Sequence, residues 1–85
     1  MSSKAKLPPP DGFIDATDVV CPMTFVKAKV ALEEMDMGGV LSIRLNEGEP
    51  LQNVPRSLKD EGQQVLGLQN NEDGTYNLLV RRAAE

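Results

Sequence analysis

The chain has no histidine and no tryptophan, and only one tyrosine, two phenylalanines and one cysteine among its 85 residues. Without histidine, the commonest metal ligand and the commonest general base near neutral pH are both missing. Neither a metal site nor a cofactor is expected, and any chemistry must rest on the thiol, the backbone and charged side chains. A single cysteine cannot close an internal disulfide. The scarcity of aromatic rings removes the platforms on which single-stranded nucleic acids stack. Nine basic residues stand against thirteen acidic ones, and the net charge of -4 repels phosphate backbones and favours basic protein partners. Direct nucleic acid binding is therefore not expected. The chain also lacks the apolar core of a signal peptide and any apolar run long enough to span a bilayer, so the reading is a cytoplasmic protein without membrane association.

What is present reads as one small folded unit. Hydrophobic residues make up 40% and charged residues 26%, ordinary globular usage. A chain of this size buries only roughly 60% of its unfolded surface, which argues against a deep enclosed active site. Residues 1–10, "MSSKAKLPPP", carry three prolines and read as a flexible or polyproline-like tail. Residues 11–85 read as a single domain.

Within that domain, Phe13–Ala16 alternates as a short strand and leads through a turn to Cys21 and Pro22. From Pro22 the period becomes helical, with Phe25, Ala28, Leu32 and Met35 on one face and Gly38-Gly39 as the expected stop. Val40–Leu45 alternates as a second strand, Leu41, Ile43 and Leu45 facing one way and Ser42 and Arg44 the other. A second helix is expected to begin near Asn53 as its cap, with Pro55 in its first turn and Gly62 as its stop, because proline breaks a helix that continues through it. Gln64–Gln69 and Tyr76–Arg82 read as two further strands joined by the turn "NNEDG". The predicted fold class is α+β with the order β-α-β-α-β-β. Two helices can cover one face of a four-stranded mixed sheet, which makes a two-layer sandwich with a largely polar outer face.

Cys21 falls at or beside the start of the first helix, where unpaired N-H groups and the helix dipole favour a thiolate. The thiolate is the nucleophile, so this placement suits a reactive sulfur, and Pro22 at the first helical position would fix its geometry. A second reading stands beside the first: free cysteines often serve as buried apolar fillers, and Val19 and Val20 are apolar neighbours. Asp18, if it faced the thiol, would oppose its ionisation. No histidine is available for a triad, so hydrolysis is not the expected chemistry.

The stretch "DATDVVCPMTFVKAKVALEEMDMGGVLSI", Asp15 to Ile43, resembles the TusA/SirA sulfur-carrier family, marked by Cys-Pro-x-Pro at the start of the first helix. "NVPRSLKDEG" is similar to that family's second helix start. The resemblance covers everything after the tail and agrees with the element order. It implies a sulfurtransferase of the sulfur-relay kind, in which Cys21, beside Pro22, takes a sulfane sulfur as a persulfide. The donor would be a protein such as a cysteine desulfurase and the acceptor another sulfurtransferase, as in tRNA thiolation, cofactor assembly or sulfur oxidation. A carrier exposing its thiol to two partners in turn is expected to be a monomer. The chain departs from the family pattern at Thr24 (second motif proline), Asp18 (glycine), Asn53 (Asp) and Gln63 (His). The alternative is a diverged interaction or regulatory module of the same fold that carries no sulfur.

Other residues keep two readings each. Lys27 and Lys29 either guide a partner or form a solvated face, Lys29 with Glu33 being an ordinary i,i+4 pair. Arg81 and Arg82 either touch a partner or blunt a sheet edge. Met23, Met35 and Met37 read as core and rim packing rather than as a binding stripe. Thr24 is expected to offer its hydroxyl near the helix start in place of the missing proline.

Overall fold

The computed structural model describes residues 9–20 and 23–84. Most of the predicted tail lies outside this range, as do Cys21, Pro22 and Glu85. Six elements follow in the predicted order: β1 Gly12–Asp15, α1 Met23–Glu33, β2 Val40–Asn46, α2 Glu49–Asp60, β3 Gln64–Asn70 and β4 Thr75–Arg81. They form one mixed sheet in the spatial order β1-β2-β4-β3. β1 runs parallel to β2, and β4 is antiparallel to both of its neighbours. The last strand in the chain is thus interior to the sheet.

Alternation in the strands sends Leu41, Ile43 and Leu45 of β2 and Leu78 and Val80 of β4 to one face, where all are buried. Ala28 and Leu32 of α1 and Val54 and Leu58 of α2 complete the same core. Both helices therefore cover one face of the sheet, the predicted two-layer sandwich. The opposite face is less polar than expected. Phe13 stands on it 60% exposed, and Val40 and Leu79 lie on it almost wholly buried. Leu79 has only the small residues Ser42 and Gly67 across from it on the two neighbouring strands. Among the described residues, no helix is long and apolar enough to cross a membrane.

The second helix corrects the sequence reading. It starts at Glu49, with Gly48 as its N-cap and Pro50 in its first turn, so Asn53 is not a cap and Pro55 lies inside the helix. An interior proline costs about 3 kcal/mol. The complete burial of Val54 and Leu58, each contributing about 1.5–3 kcal/mol, outweighs that cost. The predicted stop is correct: Gly62, at φ +93°, donates to the carbonyl of Lys59 at 2.9 Å while Gln63 donates to that of Leu58 at 3.0 Å. That pair of bonds is a Schellman ending, which requires the left-handed conformation glycine adopts freely.

The first helix stops earlier than Gly38-Gly39 suggested, at Glu33. Arg82 explains the difference, since its guanidinium donates to the carbonyl oxygens of Glu33 and Met35 and satisfies the open helix end. Arg81 and Arg82 do not blunt an edge, because β4 is an interior strand. Met35 packs against the core as expected, but Met23 and Met37 are more than half exposed.

Candidate functional site

Topology brings one end of the sandwich together around the approach to Cys21. β1 and β2 end there, α1 and α2 begin there, and the β3–β4 turn lies beside them. Cys21 and Pro22, the residues the sequence singles out for chemistry, lie outside the described residues. Val19 and Val20 precede them and Met23 and Thr24 follow. Val20 and Met23 are 76% and 52% exposed.

The approach segment, Asp15 to Val20, is held at several points. Asp15 closes β1, and one carboxylate oxygen accepts both the backbone N-H of Thr17 at 2.9 Å and its hydroxyl at 2.6 Å. Its other oxygen faces the Arg44 guanidinium at 3.4 Å. Asn46, at the end of β2, donates its amide to the Thr17 carbonyl at 3.0 Å. From α1, Lys27 donates to the Asp15 carbonyl at 2.7 Å and pairs with the Asp18 carboxylate at 3.3 Å. Asp18 is thereby given a cationic partner of its own.

Thr24 closes the segment from the helix side. It is fully buried, its hydroxyl donates to the Val19 carbonyl at 3.4 Å, and its N-H donates to the Val20 carbonyl at 3.2 Å. A proline at this position would lack both donors. Thr24 thus supplies the hydroxyl bond the sequence reading expected.

Arg44 carries the arrangement across the sheet. Its Nη1 faces Asp15, its Nη2 donates to Asp73 at 2.8 Å, and its Nε donates to the Thr75 hydroxyl at 3.2 Å. Asp73 and Thr75 repeat the local geometry of Asp15 and Thr17. One Asp73 oxygen accepts the Thr75 N-H at 3.0 Å and its hydroxyl at 2.5 Å. The sequence contains the same Asp-x-Thr pattern twice, and the guanidinium forks between the two turns. Hydrogen bonds from Thr17, then the Arg44 charge, hold the Asp15 carboxyl below its ordinary value of 3.8. Thr75 and then Arg44 do the same for Asp73.

Sequence reasoning placed Arg44 on the outer face of β2 without assigning it a role, and it missed Thr17, Asn46, Asp73 and Thr75. The doubled Asp-x-Thr was the available signal. Lys29 pairs with Glu61 of α2 at 3.4 Å rather than with Glu33. Gln63, where the family often has histidine, accepts from the N-H groups of Ala83 and Ala84 at 2.8 and 3.2 Å. It also donates to the Ala84 carbonyl at 3.1 Å. Its role here is to hold the C-terminal segment.

A mixed four-stranded sheet, two helices on one face and a cysteine between the first strand and the first helix define a small α+β sandwich of the SirA-like type. A SirA-like protein from Desulfitobacterium hafniense has this structure, with a TM-score of 0.73 and 26% identity, covering 86% of this chain and 99% of that one. The model of the sulfurtransferase TusA family matches residues 12–82. A candidate sulfur carrier protein of Archaeoglobus fulgidus is 32% identical over 69 residues, 81% of this chain and 78% of its own. The sulfur carrier protein TusA of Pseudomonas entomophila is 29% identical over 75 residues, 88% of this chain and 92% of its own. The chain belongs to the TusA family. Membership implies a sulfur carrier role, with a protein that gives the sulfur and one that receives it.

Proposed function

We propose that the protein is a cytoplasmic, monomeric sulfur carrier that holds a sulfane sulfur on Cys21 as a persulfide and relays it to an acceptor sulfurtransferase. The observation that carries this reading is the match of residues 12–82 to the TusA family, within which Cys21 and Pro22 retain the first two residues of the family's motif. In support, the described helix begins at Met23, two residues after the cysteine in sequence, and a helix N-terminus favours an anion placed beside it.

The chemistry balances without an external oxidant or reductant. The Cys21 thiolate attacks the outer sulfur of a donor persulfide, such as that of a cysteine desulfurase. A bond forms between Cys21 Sγ and that sulfur as the donor S-S bond breaks, and the donor cysteine leaves as a thiolate. Delivery repeats the step with Cys21 as the leaving thiolate. The absence of a second cysteine suits this role, since an adjacent thiol would discharge the persulfide as a disulfide.

Incubation with a cysteine desulfurase and cysteine, read by intact mass with and without reductant, tests the proposal. Added sulfur that reductant removes is expected on the wild type and not on Cys21→Ala. An unloaded wild type whose thiol also alkylates slowly at neutral pH would favour the interaction-module reading instead.

A further inference from the structure

The two Asp-x-Thr turns sit at opposite ends of the chain's described portion, and one arginine joins them. We propose that Arg44 is a positioning residue, whose fork between Asp15 and Asp73 ties the segment that delivers Cys21 to the β3–β4 turn. The inference rests on Cys21 being the carrier site. Neither Arg44 nor Asp73 is placed among the reacting atoms.

Three observations support it. The fork is specific in geometry: Nη1 serves Asp15, Nη2 serves Asp73 and Nε serves Thr75, an arrangement a planar guanidinium can make and an ammonium cannot. Each carboxylate reaches the arginine with one oxygen while the other is occupied by its own threonine, so both acceptors are oriented before the cation arrives. The fork also coincides with the end of the β1–β2 ladder, where the Ala16 N-H donates to the Arg44 carbonyl at 2.9 Å. Beyond that bond, the approach segment makes no further strand pairing, and side chains of Arg44, Asn46, Lys27 and Thr24 hold it. Of these four side chains, that of Arg44 is the one that also bonds Asp73 and Thr75 at the β3–β4 turn.

Half-exposed ion pairs of this kind contribute little to global stability. Their effect is expected in the order of the segment, because weakly held loops open locally at far lower free energy than the whole fold. That separates positioning from structural support. If the fork orders the approach to Cys21, cutting it from the Asp73 side should change the thiol while the melting temperature hardly moves.

The test compares wild type, Arg44→Gln, Arg44→Lys, Asp73→Asn and the Arg44→Gln/Asp73→Asn double variant. The main readout is the rate of Cys21 alkylation by iodoacetamide across the pH range of thiol ionisation, followed by intact mass, with thermal melts alongside. Arg44→Gln and Asp73→Asn are each expected to displace the pH midpoint and to slow alkylation at neutral pH by roughly three- to tenfold, within the span of couplings through such networks. The double variant should be no worse than Arg44→Gln, and Arg44→Lys should fail to restore the wild-type profile. A wild-type profile in Asp73→Asn, or full restoration by lysine, overturns the proposal. Alkylation needs no sulfur donor, so a protein that takes no sulfur but shows this pattern would count against the carrier reading alone and leave the positioning role standing.

Discussion

Asp15 and Asp73 make the same bonds to a threonine two residues on, and the acidity of both carboxyls follows from those bonds and from Arg44. Each folded carboxyl ionises below the ordinary value of 3.8, so on acidification the unfolded chain takes up the protons first. Their contribution to stability is therefore fully present above that value and is lost as pH falls through the lower folded value. In the Asp15→Asn/Asp73→Asn double variant, stability followed by urea unfolding should fall less steeply than in wild type below about pH 4. Equal slopes would mean that the carboxylate bonds do not persist in solution. Thr24 makes a second prediction at this scale. Thr24→Val keeps the buried shape and removes the hydroxyl that reaches the Val19 carbonyl, which should cost about 1 kcal/mol in urea unfolding. No loss would assign the site to shape alone.

At the scale of elements, α2 sets a local conflict against packing. Pro55 cannot donate to the carbonyl one turn back, yet the helix runs through it from Glu49 to Asp60. Pro55→Ala should stabilise the protein by about 2 kcal/mol, the helical gain less the freedom regained by the unfolded chain. Leu58→Ala, on the buried face, should cost about 3 kcal/mol. Thermal or urea unfolding reads both, and a destabilised Pro55→Ala would show that the ring packs where it was taken only to interrupt. This element also marks how far the sequence was legible. The order of all six elements follows from periodicity, because alternation and helical spacing report which residues meet the core. The start of α2 does not, since the rule that proline ends helices is local while the burial of Val54 and Leu58 is tertiary. The end of α1 escaped for a similar reason: its cap, Arg82, arrives from the far end of the chain. At the site, Cys21 and Pro22 were legible as a motif. The Arg44 fork was not, because it depends on a strand register that brings residues 15, 44 and 73 together.

For the whole molecule, sheet order decides what can fold alone. β4 lies between β2 and β3 and contributes Leu78 and Val80 to the core. Without it, β3 has no partner, and β1 and β2 remain a parallel pair lacking the neighbour that completes the sheet. The C-terminal segment is drawn in as well, since Ala83 and Ala84 bond to Gln63 and the Ala84 Cβ lies 2.9 Å from where a side chain on Gly62 would begin. Gly62→Ala should therefore destabilise by about 1 kcal/mol or more, from the left-handed backbone as well as this contact, measured by urea unfolding. A chain cut after Asn71 is expected to show no cooperative transition in circular dichroism, and a folded fragment would mean that the interior strand is dispensable. Most of the sheet's pairing is between distant residues, which slows folding. The position of β4 thus has a consequence for synthesis: a nascent chain emerges with its cysteine well before the strand that completes the sheet. Until residues 75–81 have been made, the thiol sits in a polypeptide that cannot yet close this sheet.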